Sequence, residues 1–250
     1  MAKARADRLL VERGLAASRS QAQALIMAGQ VSTADRRIDK AGEQLDVDAP
    51  LHVKGGRRFV SRGGDKLDHA LDHFDAVTVK DRVCLDIGAS TGGFTDCLLI
   101  RGAAKVYAVD VGYGQLHDKL RGDERVVVRE RTNARDLQRE DFADTISLTV
   151  VDASFIGLGK LVDAIQRVMP AGDLIALVKP QFEVGREAAA KTRGVVRDER
   201  LRQRAIGEVS DTLAAAGFEL MGSVDSPIRG PKGNLEHFLH ARVSPTAAPR

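Results

Sequence analysis

One short string limits the fold more than any other part of the chain. The apolar run Val83-Cys84-Leu85-Asp86-Ile87 leads directly into Gly88-Ala89-Ser90-Thr91-Gly92-Gly93-Phe94. Such a run reads as a buried strand, and the glycines after it let the backbone turn tightly and approach a ligand closely. A helix is expected to open at the end of the string. Its free N–H groups and positive potential suit a carboxylate or a phosphate. Asp110 ends the next apolar run, Lys105–Val109. A carboxylate at that distance along the chain can accept hydrogen bonds from both ribose hydroxyls of an adenosine. The string departs from the strict dinucleotide pattern, because Ser90 stands at the second required glycine. Together these features specify an adenosine-containing ligand on a Rossmann-like sheet, and leave open which one.

The rest of the chain after residue 62 repeats the alternation. Helices are expected over about 65–74, 94–101, 158–168 and 198–216. Strands are expected at Val83–Ile87, Lys105–Val109, Val126–Arg129, Leu148–Val151, Leu174–Val178, Phe218–Val224 and Glu236–Ala241. Short apolar strands separated by helices predict an α/β fold with a mostly parallel sheet covered on both faces. Ligands and reactive groups gather at the carboxyl ends of such strands. Asp152 and Lys179 follow the fourth and fifth strands, and Glu236 would reach the same edge if its strand runs antiparallel. Lys66, placed just before the first helix, would complete a group of two lysines and two carboxylates. A lysine straight after a buried strand, as in Val178-Lys179-Pro180, is the unusual member.

The first 62 residues differ in pattern and in charge. They hold 12 Lys and Arg against 7 Asp and Glu, a net +5, whereas the remainder carries 26 against 28. Residues 5–13 read as a short helix stopped by Gly14. Ser18 reads as the N-cap of a second helix, with Gln21 as its partner and Gly29 as its stop. Strand-like pieces follow at Gln30–Ser32, Gln44–Val47 and Leu51–Val53. A small basic unit therefore precedes a near-neutral larger one, and phosphate attraction makes it a candidate nucleic-acid reader. The run Lys54–Gly64, with four glycines and four basic residues, suits a hinge. Cys84 and Cys97 are the only cysteines, which excludes a disulfide framework or a four-cysteine zinc site. His69 and His73 lie one helical turn apart without a third ligand, so they read as surface residues and no metal is expected. No apolar stretch reaches the length of a membrane span, and the opening MAKARADRLLVERG lacks an apolar segment. A reducing cytoplasm, no membrane and a monomer are expected.

Several strings carry a family resemblance. Arg8-Leu9, Gly14-Leu15, Ser18-Arg19, Ala22, Leu25-Ile26 and Gly29-Gln30-Val31 make residues 4–50 similar to an S4-type RNA-binding domain. Residues 63–242 resemble the FtsJ-like RNA ribose methyltransferases. Val60-Ser61-Arg62-Gly63, Asp110-Val111-Gly112-Tyr113-Gly114-Gln115-Leu116, Arg131-Thr132-Asn133, Lys179-Pro180-Gln181-Phe182-Glu183 and Gly233-Asn234-Leu235-Glu236 narrow the resemblance to the TlyA family. Thr91 and Phe94 replace the proline and tryptophan common in the wider FtsJ group, as the narrower family does.

The resemblance implies a Rossmann-like methyltransferase sheet with a small N-terminal α+β S4 domain. The expected boundaries are 1–56 for the S4 domain, 57–62 for a linker, 63–243 for the methyltransferase domain and 244–250 for a disordered tail. It implies 2′-O-methylation of cytidines in ribosomal RNA or ribosomal subunits, with S-adenosylmethionine as methyl donor. The family's catalytic set falls on Lys66, Asp152, Lys179 and Glu236. Lys179 would either take the hydroxyl proton or, as an ammonium, stabilise the developing alkoxide. Cofactor contacts are expected from Gly88, Ala89, Ser90, Thr91, Gly92, Gly93, Phe94, Asp110, Val111 and Asn133, and from Phe155 unless it is an ordinary core aromatic. RNA contacts are expected from Arg5, Arg8, Arg19, Lys40, Arg57, Arg58 and Arg62. The alternatives are a non-enzymatic ribosome-binding factor and a protein with indirect lytic activity, since family members are also named hemolysins. A pseudouridine synthase would need a catalytic-aspartate string that is missing, and the Ser90 substitution speaks against a nicotinamide dehydrogenase.

Overall fold

The computed structural model describes residues 3–244 except 17, 35, 55–57, 155, 185–193 and 231. The chain divides into two compact units, Met1–Val60 and Ser61–Arg250.

The first unit opens with β1 (Lys3–Arg5), α1 (Ala6–Glu12) and α2 (Arg19–Met27). It continues with β2 (Val31–Ser32), β3 (Gln44–Asp46) and β4 (His52–Val53). Leu9 and Leu10 on α1 and Ala22 and Ile26 on α2 are almost fully buried, and with Val31 and Ile38 they form its core. α2 starts where the sequence places it, because Ser18 Oγ accepts the Gln21 N–H at 3.2 Å. The strand β1 is not expected from the sequence. It pairs antiparallel with β3, Lys3 opposite Asp46 and Arg5 opposite Gln44, while β2 pairs with β4.

The second unit is an α/β layer structure. Its elements are α3 (Arg62–His73), β5 (Val83–Ile87), α4 (Gly93–Ile100), β6 (Lys105–Val109), α5 (Asp118–Arg121), β7 (Val126–Arg129), β8 (Leu148–Val151), α6 (Val162–Val168), β9 (Gly172–Val178), α7 (Pro180–Glu183), α8 (Glu199–Ala215), β10 (Glu219–Asp225) and β11 (His237–Val243). The sheet order is β10-β11-β9-β8-β5-β6-β7. β5 to β9 are mutually parallel, and β11 runs antiparallel to both β9 and β10. The inverted direction of β11 brings its first residues to the edge where β8 and β9 end. On one face, Leu85, Ile87, Val151, Leu174, Ala176 and Val178 pack with Ile165, Ile206, Val209 and Leu213 from α6 and α8.

Two expectations are corrected here. The first helix of this unit begins at Arg62, not near 65, because Ser61 Oγ accepts the Gly63 N–H at 3.3 Å and caps it. Lys66 therefore lies within α3, and Gly63 and Gly64 belong to a helix instead of a hinge. The segment read as one helix over 158–168 is a 3-10 turn at Leu158–Lys160 followed by α6.

Candidate active site

The glycine string forms the turn between β5 and α4. Gly88 has φ 83°, and a Cβ there would lie 2.7 Å from the Asp152 carbonyl oxygen, so only glycine lets β5 and β8 emerge side by side. Gly92 has φ 94°, and a Cβ there would overlap Leu120 and Leu116. A Cβ on Gly93 would overlap Ser61 Oγ and sit 2.8 Å from the Gly64 nitrogen. Gly92 and Gly93 thus permit close packing of the helices around the turn.

The turn and the loop after β6 hold Asp110 between them. Its Oδ2 accepts the Ser90 N–H at 2.9 Å and its Oδ1 accepts the Gly112 N–H at 2.7 Å. A carboxylate oxygen can accept two hydrogen bonds, and Asp110 lines a cavity of about 540 Å³. Of the residues expected around a cofactor, Gly88, Ser90, Asp110, Val111 and Asn133 line that cavity. Ala89, Thr91, Gly92, Gly93 and Phe94 do not line it, and Phe94 stacks on Phe238 with ring centroids 6.2 Å apart. Phe155 lies outside the described residues. Gln115, Thr132, Arg135, Ser154 and Lys160 also line the wall and were not singled out as ligands from the sequence. Gln115 and Thr132 sit inside strings already quoted for the family; nothing in the sequence points to Lys160.

Four charged residues meet at the carboxyl edge of the sheet as two ion pairs. Lys66 Nζ lies 2.5 Å from Glu236 Oε2, with both groups buried. Lys179 Nζ lies 2.6 Å from Asp152 Oδ1, and it donates a hydrogen bond of 2.7 Å to Ser154 Oγ. Asp152 Oδ1 is buried behind this ammonium, and Lys179 Nζ also donates to the Asp152 carbonyl oxygen at 3.4 Å. The β9–β11 register relates the pairs: His237 faces Val178, which sets Glu236 beside Lys179 at the next step. Lys66 reaches the edge from α3, and Asp152 follows β8 directly. Asp152 and Ser154 line the cavity, so the Lys179 pair borders the space that holds Asp110. Lysine and carboxylate in alternation can bind a hydroxyl and meet negative charge that develops on it.

Asp86, one strand residue before the turn, is fully buried. Burial pushes its carboxyl up to about 7, although a 2.6 Å hydrogen bond from Thr95 Oγ1 to Oδ2 pulls the other way. Its Oδ1 has no hydrogen-bond partner. On α7, Glu183 accepts the Leu158 N–H at 2.9 Å, and burial raises its carboxyl above the ordinary range. Among the described residues no group of three or more His, Cys, Asp or Glu could hold a metal ion, and His69 and His73 are exposed.

The expected RNA-binding residues occupy different settings. Arg8 pairs with Glu12 across one turn of α1 at 2.6 Å. Arg5 and Arg19 both bind the buried Asp7. Lys40, Arg58 and Arg62 are exposed, and the Arg58 guanidinium sits 4.9 Å from the centre of the Phe59 ring. Arg57 lies outside the described residues.

Known proteins match this chain over both units. A model of the FtsJ-like methyltransferase family matches residues 59–243, and one of the S4 domain matches residues 4–50. The 16S/23S rRNA (cytidine-2′-O)-methyltransferase TlyA of Mycobacterium tuberculosis is 46% identical over 96% of this chain and 90% of its own length. Hemolysin A of Brachyspira hyodysenteriae is 40% identical, covering 94% of this chain and 98% of its own. A solved structure from Streptococcus thermophilus is 42% identical, with a TM-score of 0.73 over 98% of this chain and 90% of that one. A turn that cradles a carboxylate, two lysine–carboxylate pairs at the sheet edge and family matches over both units lead to one conclusion: this chain belongs to the FtsJ-like methyltransferase family and carries an S4 domain ahead of its methyltransferase domain.

Proposed function

We propose that the protein transfers the methyl group of S-adenosylmethionine to the 2′-hydroxyl of cytidines in ribosomal RNA. The observation that carries the reading is the Lys179–Asp152 pair bordering the cavity that holds Asp110. The relatives' names supply the nucleotide and the RNA.

The residues present suit the cofactor. The cavity is of the size that small-molecule ligands occupy, roughly 300–1,000 Å³. Asp110, fixed by two backbone N–H groups, offers one lone pair per oxygen to vicinal ribose hydroxyls. Asn133 lines the same wall and would face the base. S-adenosylmethionine supplies a methyl group already activated by its positive sulfur. The protein's task is then to align a weak nucleophile and to manage its proton. Lys179, held by Asp152 and Ser154, is placed to meet the negative charge that grows on the ribose oxygen. The hydroxyl proton would leave towards the Lys179–Asp152 pair as the oxygen attacks the methyl group. Lys66 and Glu236 form the second pair beside them and orient the sugar.

The S4 unit would hold the ribosomal RNA, and the protein would act in the cytoplasm as a monomer. No observation favours a lytic reading, and no helix among the described residues is long and apolar enough to cross a membrane. The test is transfer of tritiated methyl from S-adenosylmethionine to ribosomal subunits, followed by digestion to nucleosides. Label is expected in 2′-O-methylcytidine; label in a base, or none in RNA, would overturn the reading.

A further inference from the structure

We propose that Glu183 is a positioning residue for methyl transfer. Its carboxylate ties the wall against which S-adenosylmethionine would lie to the segment that carries Lys179, so that methyl donor and ribose hydroxyl meet one rigid block. The inference rests on the methyltransferase reading above and adds to it a residue outside the four charged groups at the sheet edge.

Two segments leave the carboxyl edge side by side, the loop after β8 and the turn of α7 after β9. They are joined at two levels. At the first, Lys179 Nζ donates to Ser154 Oγ at 2.7 Å and to the Asp152 carbonyl oxygen at 3.4 Å. At the second, the Leu158 N–H donates to Glu183 Oε1 at 2.9 Å. The second tie stands as far beyond the first on one segment as on the other. Ile156, between the ties, lines the cavity, and so do Lys160 and Leu161 just past the second. Without the second tie, the loop would be fixed only at its start, and the wall from Ile156 onward could drift from Lys179.

Gly157 marks the same contact independently. Its backbone angles, φ −70° and ψ 140°, are open to any residue, so the turn itself does not demand glycine. A Cβ at that position would lie 2.9 Å from Glu183 Oε2. The missing side chain therefore makes room for the carboxylate. Burial, with Glu208 of α8 nearby, pushes the Glu183 carboxyl above the ordinary range, against the pull of the Leu158 N–H. The surroundings thus disfavour the charge, and what the tie uses is an acceptor oxygen.

Three variants of the full chain test this. Glu183→Ala removes the acceptor. Gly157→Ala leaves the acceptor in the chain and drives it off by contact with a methyl group. Glu183→Gln keeps an acceptor on a side chain of the same length. Affinity for S-adenosylmethionine is read by calorimetry, turnover by methyl transfer to ribosomal subunits, and folding by thermal unfolding. Glu183→Ala and Gly157→Ala should each weaken S-adenosylmethionine binding about threefold to tenfold, the worth of one hydrogen bond. They should also lower kcat by about tenfold through misalignment. Glu183→Gln should restore both, and filter binding to ribosomal RNA should be the same in all three. Gly157→Ala combined with Glu183→Ala should cost no more than either alone, because the added methyl then meets no carboxylate. A merely structural Glu183 predicts a lower melting temperature with cofactor affinity and kcat intact, and that result would overturn the proposal, as would additive losses in the double variant. A wild-type chain that binds no S-adenosylmethionine would overturn the methyltransferase reading itself. A wild type that binds it, beside alanine variants that bind it equally well, would overturn the tie alone.

Discussion

Asp110 lines the cavity and Lys179 is tied to its wall through Asp152 and Ser154, yet substitutions at the two should fail in different ways. On the proposed reading, Lys179→Ala would remove the group beside the reacting oxygen. Turnover should fall at least roughly 10²-fold while affinity for S-adenosylmethionine stays unchanged; near-wild-type turnover would take Lys179 out of the mechanism. Asp110→Ala would remove the proposed shared acceptor of two hydroxyls, and should weaken cofactor binding by about 1.5–3 kcal/mol, read by calorimetry. Asp86 carries a prediction about pH. Its carboxyl titrates near 7 in the fold and near 3.8 in the unfolded chain, so the folded state binds more protons between those values. Stability must then fall as pH rises through that window. Asp86→Asn should gain on the wild type in urea unfolding between pH 5 and pH 8, and an equal difference at both would contradict the buried charge. These residues differ in how visible they are from the sequence. Lys179, Asp152 and Asp110 stand directly after apolar runs, so their edge position can be read. Ser154 and Lys160 follow no run and enter the site only because the loop after β8 turns back over the cavity wall.

Elements were legible where burial is two-sided. β5, β6, β8 and β9 are continuous apolar runs because helices cover both faces of the sheet. β1 was invisible: Lys3-Ala4-Arg5 has no apolar alternation, and only pairing with β3 makes it a strand. Gly63 and Gly64, in the first turn of α3, read as a hinge in the sequence because flexibility and close packing use the same residue. Gly63 and Gly64 lie against Gly93, so α3 and α4 touch almost backbone to backbone. A methyl group at residue 93 has to push α3 away, and the Gly64 backbone cannot yield as a side chain would. Gly93→Ala should therefore cost about 1–3 kcal/mol, and the melting temperature should drop by several degrees. Because α3 carries Lys66, methyl transfer should fall as well. A variant that melts with the wild type would mean the helices have slack that the structure does not show.

At the scale of the whole molecule, the proposed function assigns holding to one unit and reacting to the other. Every residue lining the cavity lies between Ile87 and Leu161, in the second unit, whereas Arg19 and Lys40 lie in the first. Arg19→Glu with Lys40→Glu should weaken binding to ribosomal RNA and flatten its salt dependence, leaving affinity for S-adenosylmethionine unchanged. A loss of cofactor affinity in that variant would show that the units are not independent. The inverted strand β11 has a consequence for how the protein is made. Lys66 appears early in synthesis, and its partner Glu236 is 170 residues further along. A ribosome that has translated as far as Lys179 has already supplied the glycine turn, Asp110 and Asp152. The nascent chain still leaves Lys66 without its carboxylate, at a place where the finished fold buries an ammonium. The second ion pair is thus completed only when the last strand enters the sheet. A prematurely released chain would offer ribosomal RNA a binding unit and most of a cofactor pocket, and no working second ion pair.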